Sequence, residues 1–293
     1  MATAAERETA SATAGSPTVD LLVPTRNRHD CLRRSLPSWL ATGARIILCD
    51  QSPTPFAAAG VRVLHRPDLA GLPAARNALL AASDAAIVVF LDDDCAIAAN
   101  FVRVIQQLAR REPTVIAWGP VVEQRGRWIR RAHRIGHLGA FHDVRRLVSG
   151  RSDQLTNALF GCCFAVRRAA AARIGFDARR PGYALGEDFD FFHRLTRAHV
   201  HARVRFAHGL TATHRRDGED RATPFMRGLA KGAFLVWTAR RHGQGNPATL
   251  VHLLMALVCA ASGRGQEPAD WRGVLAGLWS ADGHGRVKKR AAR

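Results

Sequence analysis

Short apolar runs alternate with segments of helical periodicity over the first hundred residues. The apolar runs have the length of buried strands and are VDLLVP (19–24), RIILCD (45–50), VRVL (61–64) and AIVVFL (86–91). Between them, His29–Leu40 carries leucine at four-residue spacing, and LPAARNALLAA (72–82) places a proline before strong helix formers. A third helix is predicted by apolar residues at i, i+3, i+4 and i+7 from Phe101. This alternation predicts an α/β fold with a mostly parallel sheet and helices on both faces.

Polar residues stand directly at the ends of three of these predicted strands. They are Pro24–Arg26, Asp50 and Asp92–Asp94. In sheets of this kind, ligands bind beyond the carboxyl ends of the strands. The sequence therefore predicts a ligand site at this edge of the sheet.

The three adjacent aspartates of FLDDDC need an explanation, because two like charges about 4 Å apart repel by about 1 kcal/mol even in water. One interpretation is a cluster at a helix N-terminus, since a predicted helix follows within ten residues. The other is a bound cation, because Mg²⁺ is held by one or two carboxylates together with phosphate oxygens. From these residues alone, both interpretations stay open.

Beyond about residue 120 the pattern changes. The segment 123–146 is rich in Arg, His and Gly with weak periodicity, and we interpret it as a long, basic, partly mobile segment. The pattern then predicts a strand at 159–168, a helix beginning near Glu187, and helices at 222–242, 247–262 and 271–279. The N-terminus has no apolar segment typical of a signal peptide. We therefore predict a disordered tail at 1–17, an α/β domain at 18–216 and a helical region at 217–293.

Charge and cysteine content narrow the classes of partner. Forty-three Lys and Arg against 24 Asp and Glu give a net charge of +19, which attracts nucleic acid, anionic lipid or a phosphorylated substrate. The six cysteines show no CxxC pair and no zinc-site spacing, which indicates reduced thiols and a cytoplasmic protein. The longest apolar stretch, 248–261, is too short to span a bilayer unaided. We interpret it as a buried or interfacial helix.

A second acidic group, GEDFD, begins the helix near Glu187. Acidic residues in a first helical turn are ordinarily partners of the helix dipole. Asp188, however, lies three and four residues before Phe191 and Phe192, so it shares a helix face with aromatic residues that pack inward. A carboxylate held against apolar surface has a raised pKa and suits the role of a general base.

Three further residues have two interpretations each. His214, in THRRDGED, is either a surface histidine or a metal ligand, and an imidazole among oxygen ligands favours Mn²⁺ over Mg²⁺. Arg76 and Asn77 are either groups on a helix surface or part of the site, where an arginine pairs with a diphosphate.

The motifs, in their order along the chain, resemble those of family 2 glycosyltransferases with the GT-A fold. The matching stretches, within residues 19 to 216, are VPTRNR, ILCDQS, GLPAARNALL, FLDDDC, GCCFAVRR, GEDFDF and THRR. The chain departs from the family at DQS, where many members have DDGS or DNSS. The resemblance implies a Rossmann-like GT-A domain at 18–216, followed by a C-terminal helical extension.

The resemblance also implies a role for each candidate residue. Pro24, Thr25, Arg26 and Asp50 would line the base and ribose pocket, and Arg76 would lie by the diphosphate. The whole expected substrate-binding set is Pro24, Thr25, Arg26, Asp50, Arg76, Asn77, Asp92, Asp93 and Glu187. Asp94, Asp92 and His214 would hold Mg²⁺ or Mn²⁺, with Asp94 as the better candidate for the direct ligand. Asp188 matches the catalytic base.

These roles describe an inverting transferase. A sugar would move from a UDP-, GDP- or dTDP-sugar to the hydroxyl of a glycan, lipid-linked or natural-product acceptor, and a divalent cation would neutralise the departing diphosphate. A sugar-phosphate nucleotidyltransferase is the alternative, although the glycine-rich first loop of that class is missing from VPTRNR. A nucleic-acid-binding protein explains the charge of +19 but not the clustered carboxylates, so we expect no nucleic-acid partner.

The basic segment 123–146, the apolar stretch 248–261 and WRGVLAGLW (271–279) together suggest peripheral contact with the inner face of a membrane. Helices of this sort also pack on their own catalytic domain. Both interpretations stay open.

Overall fold

The computed structural model describes residues 15–124, 126–129, 154–156, 158–179, 186–215, 223–242 and 271–280. The strands are β1 (Val19–Thr25), β2 (Arg45–Asp50), β3 (Val61–His65), β4 (Ile87–Leu91), β5 (Cys95–Ile97), β6 (Val115–Gln124), β7 (Arg127–Ile129), β8 (Gln154–Thr156), β9 (Cys163–Arg167) and β10 (Arg203–His214). The helices are α1 (His29–Leu40), α2 (Leu72–Ala82), α3 (Phe101–Arg111), α4 (Arg168–Ile174), α5 (Glu187–Ala198), α6 (Pro224–His242) and α7 (Trp271–Ser280).

The strands form one mixed sheet in the order β3-β2-β1-β4-β9-β6-β10-β5, with β7 paired to β6 and β8 to β10. The first four strands of this order are parallel, as the alternating pattern predicts. β9 then runs antiparallel between β4 and β6, while β6 and β10 are parallel to each other. β9 therefore joins the four parallel strands β3, β2, β1 and β4 to the part of the sheet that contains β6 and β10.

The core lies on both faces of the sheet. Leu21 and Val23 of β1 pack against one hydrophobic cluster, and Leu22 between them belongs to the other. Adjacent residues of a strand point to opposite faces, so both sets are buried only because helices cover both sides. Trp39 of α1 fills the first cluster and Phe191 of α5 fills the second.

α6 and α7 form a closely packed pair of parallel helices. A Cβ on Gly232 of α6 would collide with the backbone of α7, and Cβ atoms on Gly273 and Gly277 of α7 would collide with the backbone of α6. Glycine thus allows the two backbones to touch, as in small-xxx-small helix pairs. Phe234 of α6 connects the pair to the sheet domain, because its ring lies where a Cβ on Gly186, just before α5, would stand.

Most predicted elements lie within two residues of the observed ones, with one shortened strand. The strand predicted at 159–168 is confined to Cys163–Arg167, because residues 158–162 form a loop beside the aspartates. The predicted helix 247–262, residues 1–14 of the predicted tail and most of segment 123–146 lie outside the described residues. No helix within the described ranges is long and apolar enough to span a bilayer.

Candidate active site

The three aspartates form a tight turn between β4 and β5. The N–H of Asp92 donates to the carbonyl of Cys162 over 2.9 Å, and its own carbonyl accepts from the N–H of Cys95 over 3.0 Å. Asp93 and Asp94 are buried, whereas the Asp92 side chain is 24% exposed. The turn therefore presents Asp92 to the cleft and holds the two other carboxylates beneath it.

Asp93 and Asp94 are held by Arg28, which follows β1. The guanidinium of Arg28 donates to Asp93 Oδ1 over 2.6 Å and to Asp94 Oδ2 over 2.7 Å. The hydroxyl of Thr25 donates to the second oxygen of Asp93 over 2.8 Å. Burial still raises the pKa of Asp93 to about 7, although the positive charge of Arg28 opposes this shift.

His214, the last residue of β10, faces the same carboxylates. Register with β5 places it opposite Cys95, and its Nε2 lies 3.1 Å from Asp94 Oδ1 and 4.0 Å from Asp92 Oδ2. Burial alone would lower the pKa of His214, but the neighbouring Cys162, Asp94 and Asp92 raise it. His214 and the aspartates, which are far apart in the sequence, thus meet in space as predicted.

This group suits a hard divalent cation. Each of Asp92, Asp94 and His214 offers one ligand atom, and these atoms lie within 4.8 Å of one another. With metal–ligand distances of about 2.1 Å, the ligands of one octahedral ion lie roughly 3 to 4.2 Å apart. The two measured distances from His214 Nε2, 3.1 and 4.0 Å, fall in this range. Carboxylate oxygens with one imidazole are a donor set for Mg²⁺ or Mn²⁺.

Asp188 lies in the first turn of α5. Its Oδ2 accepts the N–H of Gly161 over 2.9 Å, and its Oδ1 accepts the N–H of Phe189 over 2.9 Å. Burial raises the pKa of Asp188, and the charge of Arg76 together with the backbone N–H groups offsets this only in part. The carboxylate is therefore oriented by two backbone donors in an environment that makes it a stronger base than an exposed aspartate.

Arg76 and Asn77 of α2 lie inside the domain. The guanidinium of Arg76 contacts Glu187, Asp92 and the carbonyl of Gly161. Asn77 exchanges two hydrogen bonds with the backbone of Phe176, of 2.8 and 2.7 Å. The helix-surface interpretation of these two residues is wrong, because both side chains are used by contacts within the protein.

Asp50, at the end of β2, organises the loop that follows it. Its carboxylate accepts the N–H groups of Ser52 and Phe56 over 2.9 and 2.7 Å and lies 3.0 Å from His29 Nε2. Burial would raise the pKa of Asp50, but these hydrogen bonds hold it below its usual value. Gln51, the residue that departs from the family pattern, donates to the carbonyls of the loop before α2, including that of Leu69 over 2.9 Å.

Pro24, Thr25 and Arg26 lie at the end of β1, as predicted, but differ in exposure. Pro24 and Thr25 are buried, whereas Arg26 is exposed. Thr25 contacts Asp93, as noted above, and the arginine that reaches the aspartates is Arg28, which the sequence reasoning missed. The sequence did contain a signal for Arg28. Three adjacent carboxylates require a positive charge nearby, and VPTRNR offers a second arginine besides Arg26.

Comparison with known proteins agrees with this geometry. The model of the family Glycosyl transferase family 2 matches residues 20–175, more than half of the chain. Among solved structures, the crystal structure of GalNAc-T7 with UDP, GalNAc and Mn2+ is similar, with a TM-score of 0.54 and 15% sequence identity.

The similar region covers 69% of this chain and 44% of that one, so the chain spans less than half of the GalNAc-T7 chain. This match confirms the GT-A fold. A search of curated proteins finds no match to the sequence. On the family model, which covers the aspartate turn and the strands of the sheet up to β9, the chain belongs to glycosyl transferase family 2.

Proposed function

We propose that this protein transfers a sugar from a nucleoside-diphosphate sugar to an acceptor hydroxyl, with inversion at the anomeric carbon. The observation that carries the proposal is the convergence of Asp92, Asp94 and His214 within 4.8 Å at the ends of β4 and β10. Family membership and a GT-A neighbour solved with UDP and Mn2+ support a nucleotide-sugar donor and a divalent cation.

The side chains divide the chemistry between them. Asp92, Asp94 and His214 would hold Mg²⁺ or Mn²⁺, which supplies Lewis-acid stabilisation of the departing diphosphate. Asp188 accepts the proton of the acceptor hydroxyl as the oxygen attacks the anomeric carbon from the face opposite the leaving group. The C–O bond to the diphosphate breaks as the new glycosidic bond forms, so the configuration inverts.

Thr25, Asp50 and the loop beyond them are proposed to bind the base and ribose of the donor. The exposed Arg26 is proposed to contact the donor from the rim of the cleft. Asp50 contributes through the loop that it orders, because its carboxylate accepts the N–H groups of Ser52 and Phe56.

A panel assay tests the proposal. Purified protein is incubated with UDP-, GDP- and dTDP-sugars, with Mn²⁺, Mg²⁺ or excess chelator, and release of nucleoside diphosphate is measured. We expect release from at least one donor only when metal is present. Formation of sugar 1-phosphate from the donor and pyrophosphate would instead identify a sugar-phosphate nucleotidyltransferase.

We also propose that the acceptor is presented at an anionic membrane surface on the cytoplasmic side. The parallel pair α6 and α7 exposes Phe225, Met226 and Trp271, each more than 40% accessible, near one shared end. Neither helix has an acidic residue in its first turn, and Arg272 stacks on the ring of Trp271. Trp and Phe favour the interface of a bilayer, and a charge of +19 favours anionic lipid.

Sedimentation with vesicles tests this surface. We expect the protein to bind vesicles of anionic lipid at low salt, and a variant with Phe225, Met226 and Trp271 changed to Ser to bind at least about tenfold more weakly. The matched control changes three exposed apolar residues elsewhere, Leu40, Leu155 and Val200, to Ser. The proposal would be contradicted if both variants lost vesicle binding equally. It would also be contradicted if the first variant bound vesicles normally but no longer associated with other copies of the chain.

A further inference from the structure

Arg76 is an arginine with almost no contact with solvent. Its side chain is 1% exposed, although α2 begins at the edge of the sheet where the cleft opens. Burying a guanidinium is costly unless charge partners and hydrogen bonds compensate it. The structure provides these partners from three different segments of the chain.

The polar partners of Arg76 belong to both halves of the site. One terminal nitrogen pairs with Glu187, the neighbour of the proposed base. The other lies 2.7 Å from the carbonyl oxygen of Gly161 and 3.4 Å from Asp92 Oδ1. Gly161 in turn donates its N–H to Asp188, so Arg76 is one hydrogen-bonded residue away from the base and in contact with the metal-side carboxylate.

The apolar part of the environment fixes the plane of the guanidinium. The rings of Phe90, Phe164 and Phe176 surround it, with centroids 5.4 to 5.8 Å from its central carbon. Among the described residues, none accepts a hydrogen bond from Nε of Arg76. The two terminal nitrogens contact Glu187 and Asp92, and the aromatic rings surround the rest of the guanidinium. A planar fork in such a cage has one orientation, which the flexible ammonium of lysine does not reproduce.

We propose that Arg76 is a positioning residue that fixes the metal-side carboxylate Asp92 and the base-side loop of Glu187 and Gly161 relative to each other. It does not bind the diphosphate of the donor, because its polar contacts are made within the protein and its side chain is closed to solvent. This inference rests on the proposed glycosyl transfer. It assigns Arg76 a different role from the one that the family resemblance implies.

Steady-state kinetics with the donor found in the panel assay separate the two roles. We expect Arg76→Lys to lower kcat by about tenfold or more while the KM for the donor stays within about threefold. Glu187→Gln, which removes the negative charge that faces Arg76 and leaves the arginine in place, should lower kcat in the same way. The matched control, Arg62→Gln, removes an exposed arginine that bonds the C-terminal end of α2 and should leave both constants unchanged.

The pH profile adds a readout that a merely structural role would not move. The charge of Arg76 lowers the pKa of Asp188, so Arg76→Gln should shift the acid limb of kcat to higher pH, whereas Arg76→Lys should shift it less. A donor KM that rises about tenfold in Arg76→Lys at unchanged kcat would identify a diphosphate ligand and overturn the proposal. An unchanged kcat in Glu187→Gln would overturn it as well.

A ligand-free measurement keeps this inference separate from the proposed function. Thermal unfolding of Arg76→Lys, Glu187→Gln and the double variant forms a cycle. We expect the double variant to lose clearly less in midpoint than the sum of the two single losses, because both substitutions weaken the same charged contact. Additive losses would contradict the contact whether or not any donor is turned over. Turnover of no donor by the wild type would instead contradict the proposed function.

Discussion

Positively charged arginine side chains offset the repulsion among Asp92, Asp93 and Asp94. Asp93 and Asp94 share Arg28, whereas Asp92 faces Arg76. Burial still raises the pKa of Asp93 to about 7, so Arg28 offsets the cost of burying this carboxylate only in part. A divalent cation bound at the turn would offset it further.

Replacing Arg28 tests that balance. A carboxyl group whose folded-state pKa is raised stabilises the fold at low pH and loses that contribution as pH rises through the folded pKa. Arg28→Met removes a charge that lowers the pKa of Asp93, so we expect a loss of metal-free stability that is larger near pH 8 than near pH 5. Chemical unfolding at the two pH values measures it. The exposed Arg26, changed to Met, serves as the control and should show no such pH dependence.

Asp188→Asn keeps the size of the side chain and removes its basicity. We expect transfer to fall by about 10²-fold or more while donor binding persists. Because burial raises the pKa of Asp188, wild-type kcat should rise with pH along an acid limb above the usual range of an aspartate, and the variant should lack that limb. A variant that loses donor affinity at unchanged kcat would make Asp188 a binding residue.

Gly161 leaves the room that Asp188 occupies. A Cβ there would lie 2.8 Å from Asp188 Oδ2 and 3.1 Å from its Cγ, so Gly161→Ala should displace the carboxylate and lower kcat by about tenfold or more at unchanged donor KM. Gly209→Ala is the control, because its Cβ would meet only a methyl group at 3.9 Å. Equal kinetics of the two variants would show that the position of Asp188 does not matter.

The sequence singled out the aspartates because they follow a strongly apolar strand, Asp188 because of its spacing to Phe191 and Phe192, and His214 because of the motif THRRDGED. It missed Arg28 and chose the neighbouring Arg26. Nothing local distinguishes the two arginines of one loop, since the direction of each side chain depends on the turn at Asn27, which has a φ of 56°. The roles carried over from the family stay predictions.

Among the elements, the first four strands of the sheet were predictable and the others less so. Continuous apolar runs with intervening helices identify parallel strands from sequence alone. β6 and β10 were not predicted, and β9 was predicted without its antiparallel direction. Strand direction and pairing depend on contacts between segments far apart in the chain, such as Ala117 with Val166, which local patterns do not contain.

The contact between α6 and α5 gives a test at this level. Phe234 is buried with its ring against Gly186, whose φ of 82° places it in the left-handed region just before Glu187. We expect Phe234→Ala to destabilise the protein by about 3 kcal/mol and to lower kcat, because the start of α5 loses its support. Phe225→Ala, on the exposed side of the same helix, should change stability by less than about 0.5 kcal/mol. Equal stability of the two variants would show that α6 does not support the site.

The whole chain has a net charge of +19, yet carboxylates gather at and beneath the cleft. Arg28, Arg76 and the backbone of Gly161 connect five of them, which are Asp92, Asp93, Asp94, Glu187 and Asp188. If the proposed function is correct, we expect the general positive charge to attract the anionic donor and the local acidic cluster to need a cation before that donor binds. Metal dependence therefore tests the charge of the whole chain and the geometry of its site together.

The most direct test is the rate of nucleoside diphosphate release as a function of Mn²⁺ concentration, in the wild type and in Asp94→Ala. We expect the wild-type rate to fall to background with excess chelator and to saturate as Mn²⁺ is restored. Asp94→Ala should stay near background at every concentration while keeping the wild-type circular dichroism spectrum, because the turn lies beyond the packed sheet. Full activity of Asp94→Ala, or of the wild type in excess chelator, would contradict a metal-assisted transfer at this site.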